Sequence, residues 1–503
     1  MSRVTWTWIL FALMMASFIG IGLYAQRKVK NEDDYATARS TYSWWTIALV
    51  LMATYCSGAT FMGSTGLFYS FGFPVLWYSI LNTWGGYLGA AYLGKLGAAT
   101  NETNTRSLAE FLGVRFNSTV VRLLCALISL FYIFSIGSQV SAGGNVFSVL
   151  LGIDYKVGVW LTTALILGYL VIGGAHSNII TAAWQCVIMV GTALFCIWFL
   201  CTFPLEGGFA GLSERLSAVN PELGANSMFN SANQQFASIF GVMMVMVGHF
   251  TVMAQPNYTM KFGALRKRTD MWKTMLLLGT MGMICALGPA MTGLIARDVL
   301  PDLPRADLAM VSLLVDRIPD PLYAFIVVGI LCAILSTASG LYLAVAQSVS
   351  NDLYRCTLAS RRGDSEETIE KNVKVLTRIF TIVFAIIAAC VVMTPPQHLT
   401  LLLWIGSGGL ICTLNGALVL GLVWRGVSTK AVIISMVICL VTYIYLIFII
   451  GWNTMVSAGT LFCVNLVLIT VLSMVFKDRV SDKYLYENGL FRNKIKPSDI
   501  GLS

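Results

Sequence analysis

The stretch Ala333-Ile334-Leu335-Ser336-Thr337-Ala338-Ser339-Gly340 puts three hydroxyls within four residues, midway along an apolar run long enough to cross a bilayer. In hydrocarbon a hydroxyl needs a partner, so the grouping points to a polar guest rather than to a lipid-facing helix. Helical geometry sets Ala333 one turn before Ser336 and Thr337, which places one carbonyl and two hydroxyls on nearly the same face. Three neutral oxygens so arranged suit a small hard cation. The plainer alternative is that Ser and Thr bond back to the preceding turn or knit helices together, and the stretch alone leaves both readings open.

Working outward, the chain has 503 residues of which 57% are hydrophobic and 11% charged, with a mean hydropathy of +0.76, too apolar for a soluble multidomain protein. An all-α polytopic membrane protein is expected. Apolar stretches of about 17–25 residues predict about thirteen transmembrane helices: 5–26, 43–70, 74–98, 119–150, 156–174, 177–202, 236–260, 271–296, 321–350, 374–394, 398–424, 430–451 and 456–476. The first is read as an uncleaved helix, because a lone Arg3 makes a weak signal-peptide start and cations such as Arg27, Lys28 and Lys30 follow the run.

The formal charge of +9 encodes topology. Of the 33 Lys and Arg, 27 fall in alternate loops and the tail, for example Lys95 and Arg106, Arg266 to Arg268, Arg361 and Arg362, and Arg425 and Lys430. The positive-inside rule makes that side cytoplasmic, with the N-terminus outside and the C-terminus inside. The basic excess is therefore no evidence for nucleic acid. The 12 cysteines include no CxxC pair and lie mostly within spans, as small apolar fillers. The pieces between spans are too short to bury a core of their own, which excludes a catalytic or sensory domain. Pro301, Pro304, Pro319 and Pro321 bracket one such piece, read as a kinked external loop, with an external gating helix as the alternative.

Two spans look interrupted. The second carries Thr54-Tyr55-Cys56-Ser57-Gly58 at its midpoint, with Gly63 and Gly66 beyond, and the seventh carries Gly248-His249 and Gln255-Pro256-Asn257. Breaks at membrane depth free backbone groups, which is tolerated only where they face protein or a water-filled cavity. A pair of broken helices five spans apart points to an inverted repeat of five plus five helices around a midplane site. No Asp or Glu falls in a span core, so any ion must be held by neutral oxygens. His249 reads as the one ionisable side chain deep in a span, either satisfied by a neighbouring helix or in contact with substrate.

These motifs resemble those of the sodium/solute symporter family, which includes bacterial proline, pantothenate and monocarboxylate carriers. Ala333-x-x-Ser336-Thr337-Ala338-Ser339-Gly340-Leu341 with Asp352-Leu353-Tyr354 is similar to the family's A-x-x-S-T-A-D-S-x-L and D-x-Y, with Ser339-Gly340 where D-S is usual. Tyr169-x-x-x-Gly173-Gly174 with Thr181 and Gln185 is similar to its Y-x-x-x-G-G and T-D-x-x-Q, and Ser57-Gly58 with Gly63, Gly66 and Tyr69 matches its broken second span. Pro256 with Lys261 resembles its P-H-x-x-x-R, with Asn257 and Lys261 as substitutions.

The resemblance implies a LeuT-type fold: an extra helix at 5–26, a first repeat at 43–202, a second at 236–424, two extra helices at 430–476 and a cytoplasmic tail at 477–503. It implies sodium as the coupling ion, held by the carbonyls of Ala53, Cys56 and Ala333 and the hydroxyls of Ser336 and Thr337. This coincides with the oxygen cluster read from the opening stretch. Ala182 stands where some members use a carboxylate for a second sodium, so a single coupled ion is expected. Tyr55 stands where proline carriers have Asp, which weakens proline itself as the solute.

The solute is expected beside the break, near Thr54, Tyr55, Ser57 and Gly58, near Ser135, Ser138 and Gln139 of the fourth span, and near His249 and Gln255 of the seventh. Trp404 and Ser407 are candidate gate residues. Broken-helix amides would accept an anionic group without a paired Arg, which favours a small carboxylate such as a monocarboxylate, pantothenate or an amino acid. A neutral sugar or polyol, and a transporter-like sensor or channel, are the alternatives. No enzymatic nucleophile or metal set accompanies these motifs. The expected setting is a bacterial inner membrane, with a monomer as the functional unit.

Overall fold

The computed structural model describes residues 2–27, 38–315, 317–359, 362–396 and 398–500, so the topology cations Lys28, Lys30 and Arg361 lie outside the described residues. Within them the protein is helical, with isolated bridges at Tyr42–Leu265 and Ser428–Arg479 in place of strands. Nine helices are long and apolar enough to cross a membrane, or eleven if each bent pair counts as one span, among the described residues.

The membrane helices are α1 Arg3–Gln26, α2 Trp44–Tyr55, α3 Ser64–Phe71, α4 Val75–Glu102, α5 Thr119–Ser129, α6 Tyr132–Leu151 and α7 Tyr155–Thr202. The second half holds α8 Ile239–Phe250, α9 Pro256–Gly263, α10 Met271–Val299, α11 Asp320–Gln347, α12 Glu366–Val391, α13 Leu399–Val423, α14 Thr429–Tyr445 and α15 Thr454–Val475. Their starts follow local chemistry: the hydroxyls of Ser118, Ser365 and Ser428 and the Asn453 side chain accept from first-turn amides of α5, α12, α14 and α15.

One expectation is revised. The fifth and sixth spans, 156–174 and 177–202, form one helical run, α7, of 48 residues. No Pro interrupts it, and glycines alone do not stop a helix. At about 1.5 Å per residue such a run exceeds a single hydrocarbon crossing.

Both expected breaks are present. α2 ends where Cys56 turns extended (φ −81°, ψ 105°), a π-helical turn follows at Ala59–Gly63, and the axis bends by 57° into α3. α8 passes through a 3₁₀ turn at Val252–Ala254 to an extended Gln255 (φ −69°, ψ 154°), and Pro256 opens α9 at a 49° bend. Gln255 is extended because the proline ring disfavours helical backbone in the residue before it.

Burial sets the architecture. In the most apolar window of the helix beginning at Asp320, 94% of residues are buried, against 22% for the helix beginning at Thr429. α11 is thus central, packed by α1, α2, α6, α7 and α12, whereas α14 lies at the periphery. The opening hydroxyl stretch therefore lies in the middle of the molecule. The proline-bracketed piece is more ordered than a kinked loop: it forms a 3₁₀ turn at Ala306–Leu308 and a helix at Ala309–Leu314.

Candidate functional site

Two helices meet at the first break. The Ser336 hydroxyl donates to the Ala53 carbonyl at 2.7 Å and to its own Ala333 carbonyl at 3.1 Å. The Thr337 hydroxyl reaches the carbonyls of Ala53 at 3.4 Å and Thr54 at 3.3 Å, and the Tyr258 hydroxyl of α9 donates to that same Thr54 carbonyl at 3.2 Å. Ala53, Ala333 and Ser336 are fully buried and Thr337 nearly so. Four of the five expected ion ligands are thus gathered in one cluster of neutral oxygens. Cys56, the fifth, sits at the non-helical turn beside them. The two readings of the opening stretch are both visible: the hydroxyls do knit α11 to α2, and they do so through carbonyls at a broken end, the donor set that suits a hard monovalent cation.

A cavity of about 70 Å³ adjoins this cluster, bounded by α2, α4, the α8–α9 break, α10, α11 and α13. Seven expected solute residues line it: Thr54, Tyr55, Ser57, His249, Gln255, Trp404 and Ser407. The His249 ring lies 4.4 Å from the Trp404 ring between centroids. Its Nδ1 lies 2.9 Å from the Val245 carbonyl, which can only accept and so assigns a proton to Nδ1.

The other four expected residues do not line the cavity. Gln139 Oε1 accepts from the Gly58 amide at 2.9 Å, Ser138 donates to the Leu399 carbonyl at 2.8 Å, and Ser135 donates to the Leu403 carbonyl at 2.8 Å. They tie α6 to the break and to α13. The Gly58 amide is therefore engaged, and the Ser57 amide meets the Thr60 hydroxyl at 3.1 Å, so the freed amides expected to receive an anion already have partners. Gly58 is required where it stands: a Cβ there would fall 2.7 Å from Ile334 Cγ1 and 2.8 Å from Ala142 Cβ.

Sequence reasoning missed Tyr78 and Ser79 of α4, Asn257 and Tyr258 of α9, and Thr400 of α13, all of which line the cavity. Tyr258 and Asn257 follow a helix-opening proline, a signal that could have found them. Tyr78 and Ser79 sit in an ordinary apolar span with none. A further correction concerns charge: His249 is not the one ionisable side chain at depth, because Lys261 of α9 is buried and its Nζ bonds the Thr54 hydroxyl.

A helical bundle whose two broken helices flank a buried cavity and a cluster of neutral oxygens defines an ion-coupled membrane carrier. The model of the sodium:solute symporter family matches residues 35–439, and the chain belongs to that family. Its coupling ion is sodium and its fold is LeuT-type. The chain is 27% identical over 427 residues to the osmoregulated proline transporter OpuE of Bacillus subtilis, covering 83% of this chain and 84% of the relative. It is 24% identical over 434 residues to the sodium/pantothenate symporter of Escherichia coli, covering 84% and 87%. Among solved structures it is similar to a substrate-bound outward-open Na+-coupled sialic acid symporter, with a TM-score of 0.73 at 19% identity over 94% of this chain and 99% of the other.

Proposed function

We propose that the protein is a secondary active transporter that carries a small organic solute into the cytoplasm with one sodium ion, by alternating access. The observation that carries this reading is the convergence of Ser336 and Thr337 on the carbonyls of Ala53 and Thr54, which gives a bound cation the means to hold α2 and α11 in one arrangement. An ion binding that arrangement more tightly shifts the population toward it, and an adjacent solute gains affinity by the same factor that the ion does. Release where sodium is scarce and the potential negative supplies about 2.3 kcal/mol per charge per 100 mV, with the concentration gradient added. No bond is made or broken, so the reading includes no enzymatic step.

By the charge distribution, the end of the bundle with Arg266 to Arg268 and Arg355 faces the cytoplasm of a bacterial inner membrane. The repeats span 43–202 and 236–424. The solute is a small carboxylate: relatives named for proline and pantothenate carry carboxylates, and the His249, Gln255, Asn257 and Ser407 side chains offer hydrogen-bonding groups around one cavity. A neutral sugar or polyol is the second reading, favoured by a lining that, among the described residues, includes no Asp, Glu, Lys or Arg. Uptake into proteoliposomes of labelled proline, pantothenate, lactate and glucose, with sodium or potassium outside, tests it. Sodium-dependent uptake of one acid supports the leading reading, and uptake of glucose alone supports the second. Counterflow of the labelled solute separates a carrier from a channel.

A further inference from the structure

α13 and α15 finish, and α14 begins, at the same end of the bundle, where the Ser428 amide before α14 donates to the Ser473 hydroxyl of α15 at 3.0 Å. The chain beyond α15 folds back onto this end. Arg479 pairs with Ser428 through the backbone, a short helix follows at Asp482–Glu487, and Leu485, Leu490 and Ile495 are buried. Between the end of α13 and this docked tail lies a cavity of about 360 Å³, lined by Val423, Trp424, Arg425, Gly426, Arg479 and Lys494.

The lining carries more positive charge than it neutralises. Arg425 Nη1 reaches the Asp482 carboxylate at 3.4 Å, whereas Arg479 and Lys494 have no acidic partner among the described residues. Lys494 Nζ meets the Val423 carbonyl at 3.4 Å, at the negative end of α13. Asp478, the other acid of this segment, is turned to the Ser428 hydroxyl and the Lys430 amide. Behind the cavity wall Arg115 is fully buried and donates to the Gly421 and Trp424 carbonyls at 2.6 and 2.8 Å. Burial lowers the Arg115 guanidinium to about 10, so it is still a cation at neutral pH. Like charges gathered around a concavity raise the local concentration of anions.

The position narrows the class of anion. These helix ends mark the surface of the bilayer, and Trp424 belongs to the residue type that favours that level. Apolar side chains stand exposed beside the cavity, Val423 at its rim and Met474 and Val475 on the last turn of α15. Guanidinium groups grip phosphate oxygens through forked hydrogen bonds, and basic pockets at the ends of membrane helices suit anionic headgroups. We propose that this cavity holds a phosphate group, supplied by the headgroup of an anionic phospholipid whose chains run along the exposed apolar flank, and that the phosphate fastens the tail to the end of α13. The site is separate from the sodium cage and from the solute cavity.

The test uses the full chain in dodecyl maltoside without sodium or solute, following the rise in unfolding temperature as phosphatidylglycerol is added, with phosphatidylcholine as the neutral lipid. Inorganic phosphate against chloride at equal ionic strength is the second probe. Phosphatidylglycerol should stabilise the chain and phosphatidylcholine should not. Each cation near a membrane surface contributes about fivefold in affinity, so Arg479→Gln with Lys494→Gln should weaken the phosphatidylglycerol midpoint roughly thirtyfold. Should that pair not purify, Arg479→Gln alone should weaken it about fivefold on the same reasoning. Lys267→Gln with Lys371→Gln, two exposed lysines of other basic segments, should leave it within about twofold, because they lie outside the cavity. A response to inorganic phosphate alone, lost in the Arg479 and Lys494 variant, supports the phosphate site and assigns its occupant to the soluble phase. Equal weakening in both pairs, or no response of the unsubstituted chain to either probe, overturns the proposal.

Discussion

Ser336 and Thr337 each spend a hydroxyl proton on a carbonyl of the neighbouring helix, which leaves both hydroxyl oxygens with lone pairs that can accept a cation. A bond to a charged partner is worth about 1.5–3 kcal/mol, so Thr337→Ala should weaken sodium binding roughly ten- to hundredfold, read as the midpoint of sodium-dependent uptake. An unchanged midpoint would remove Thr337 from the ligand set. Gly58→Ala should cost about 1–3 kcal/mol of stability, because its Cβ would meet Ile334 and Ala142; thermal unfolding checks it. The hydroxyl cluster was legible in the sequence because three polar residues in a buried apolar run admit few explanations. Lys261 was not, since a cation one turn from a basic loop reads as an ordinary topology signal, and only the side-chain path shows it turning inward to Thr54.

At the scale of elements, the two bends were legible because the polar stretch Thr54–Gly58 and Pro256 interrupt otherwise continuous apolar runs; at the first the extended residue is Cys56, with Gly58 itself helical, and at the second the proline dictates the extended Gln255. The joining of two predicted spans in α7 was not, and the helical turns at 306–314 were only the second reading of a proline-bracketed piece, because tertiary packing overrides weak local signals. In the latter segment the Asp307 carboxylate accepts from the Leu399 amide at 2.9 Å and so caps α13, while the Tyr69 hydroxyl of α3 donates to the Leu300 and Pro301 carbonyls at 2.7 and 2.6 Å. This loop helix thereby clasps α3 and α13 at the end opposite the basic loops. Burial pushes the Asp307 carboxyl up to about 8, opposed by the Leu399 amide and the nearby Arg305. The folded state therefore holds its proton where the unfolded chain, ionising near 4, has lost it. Stability should fall as pH rises from about 4 to about 8, and Asp307→Asn should flatten that part of the unfolding profile. An unaltered profile in the variant would show that Asp307 does not set it.

For the molecule as a whole, the account requires that one ion joins the two halves of a moving structure. Ala182 is fully buried among apolar neighbours, and with no carboxylate there to build a second site, one sodium should accompany each solute. A transported ratio of two would contradict this. Family and fold were legible from spans, breaks and motifs together, whereas solute identity was not, because hydroxyls and amides around a small cavity serve acids and polyols alike. The central claim is tested most directly by counting radioactive sodium bound at equilibrium to the purified chain in the presence of excess potassium. One saturable ion per chain, lost in Thr337→Ala, is the predicted result; no sodium retained against potassium, or full retention in that variant, would contradict it.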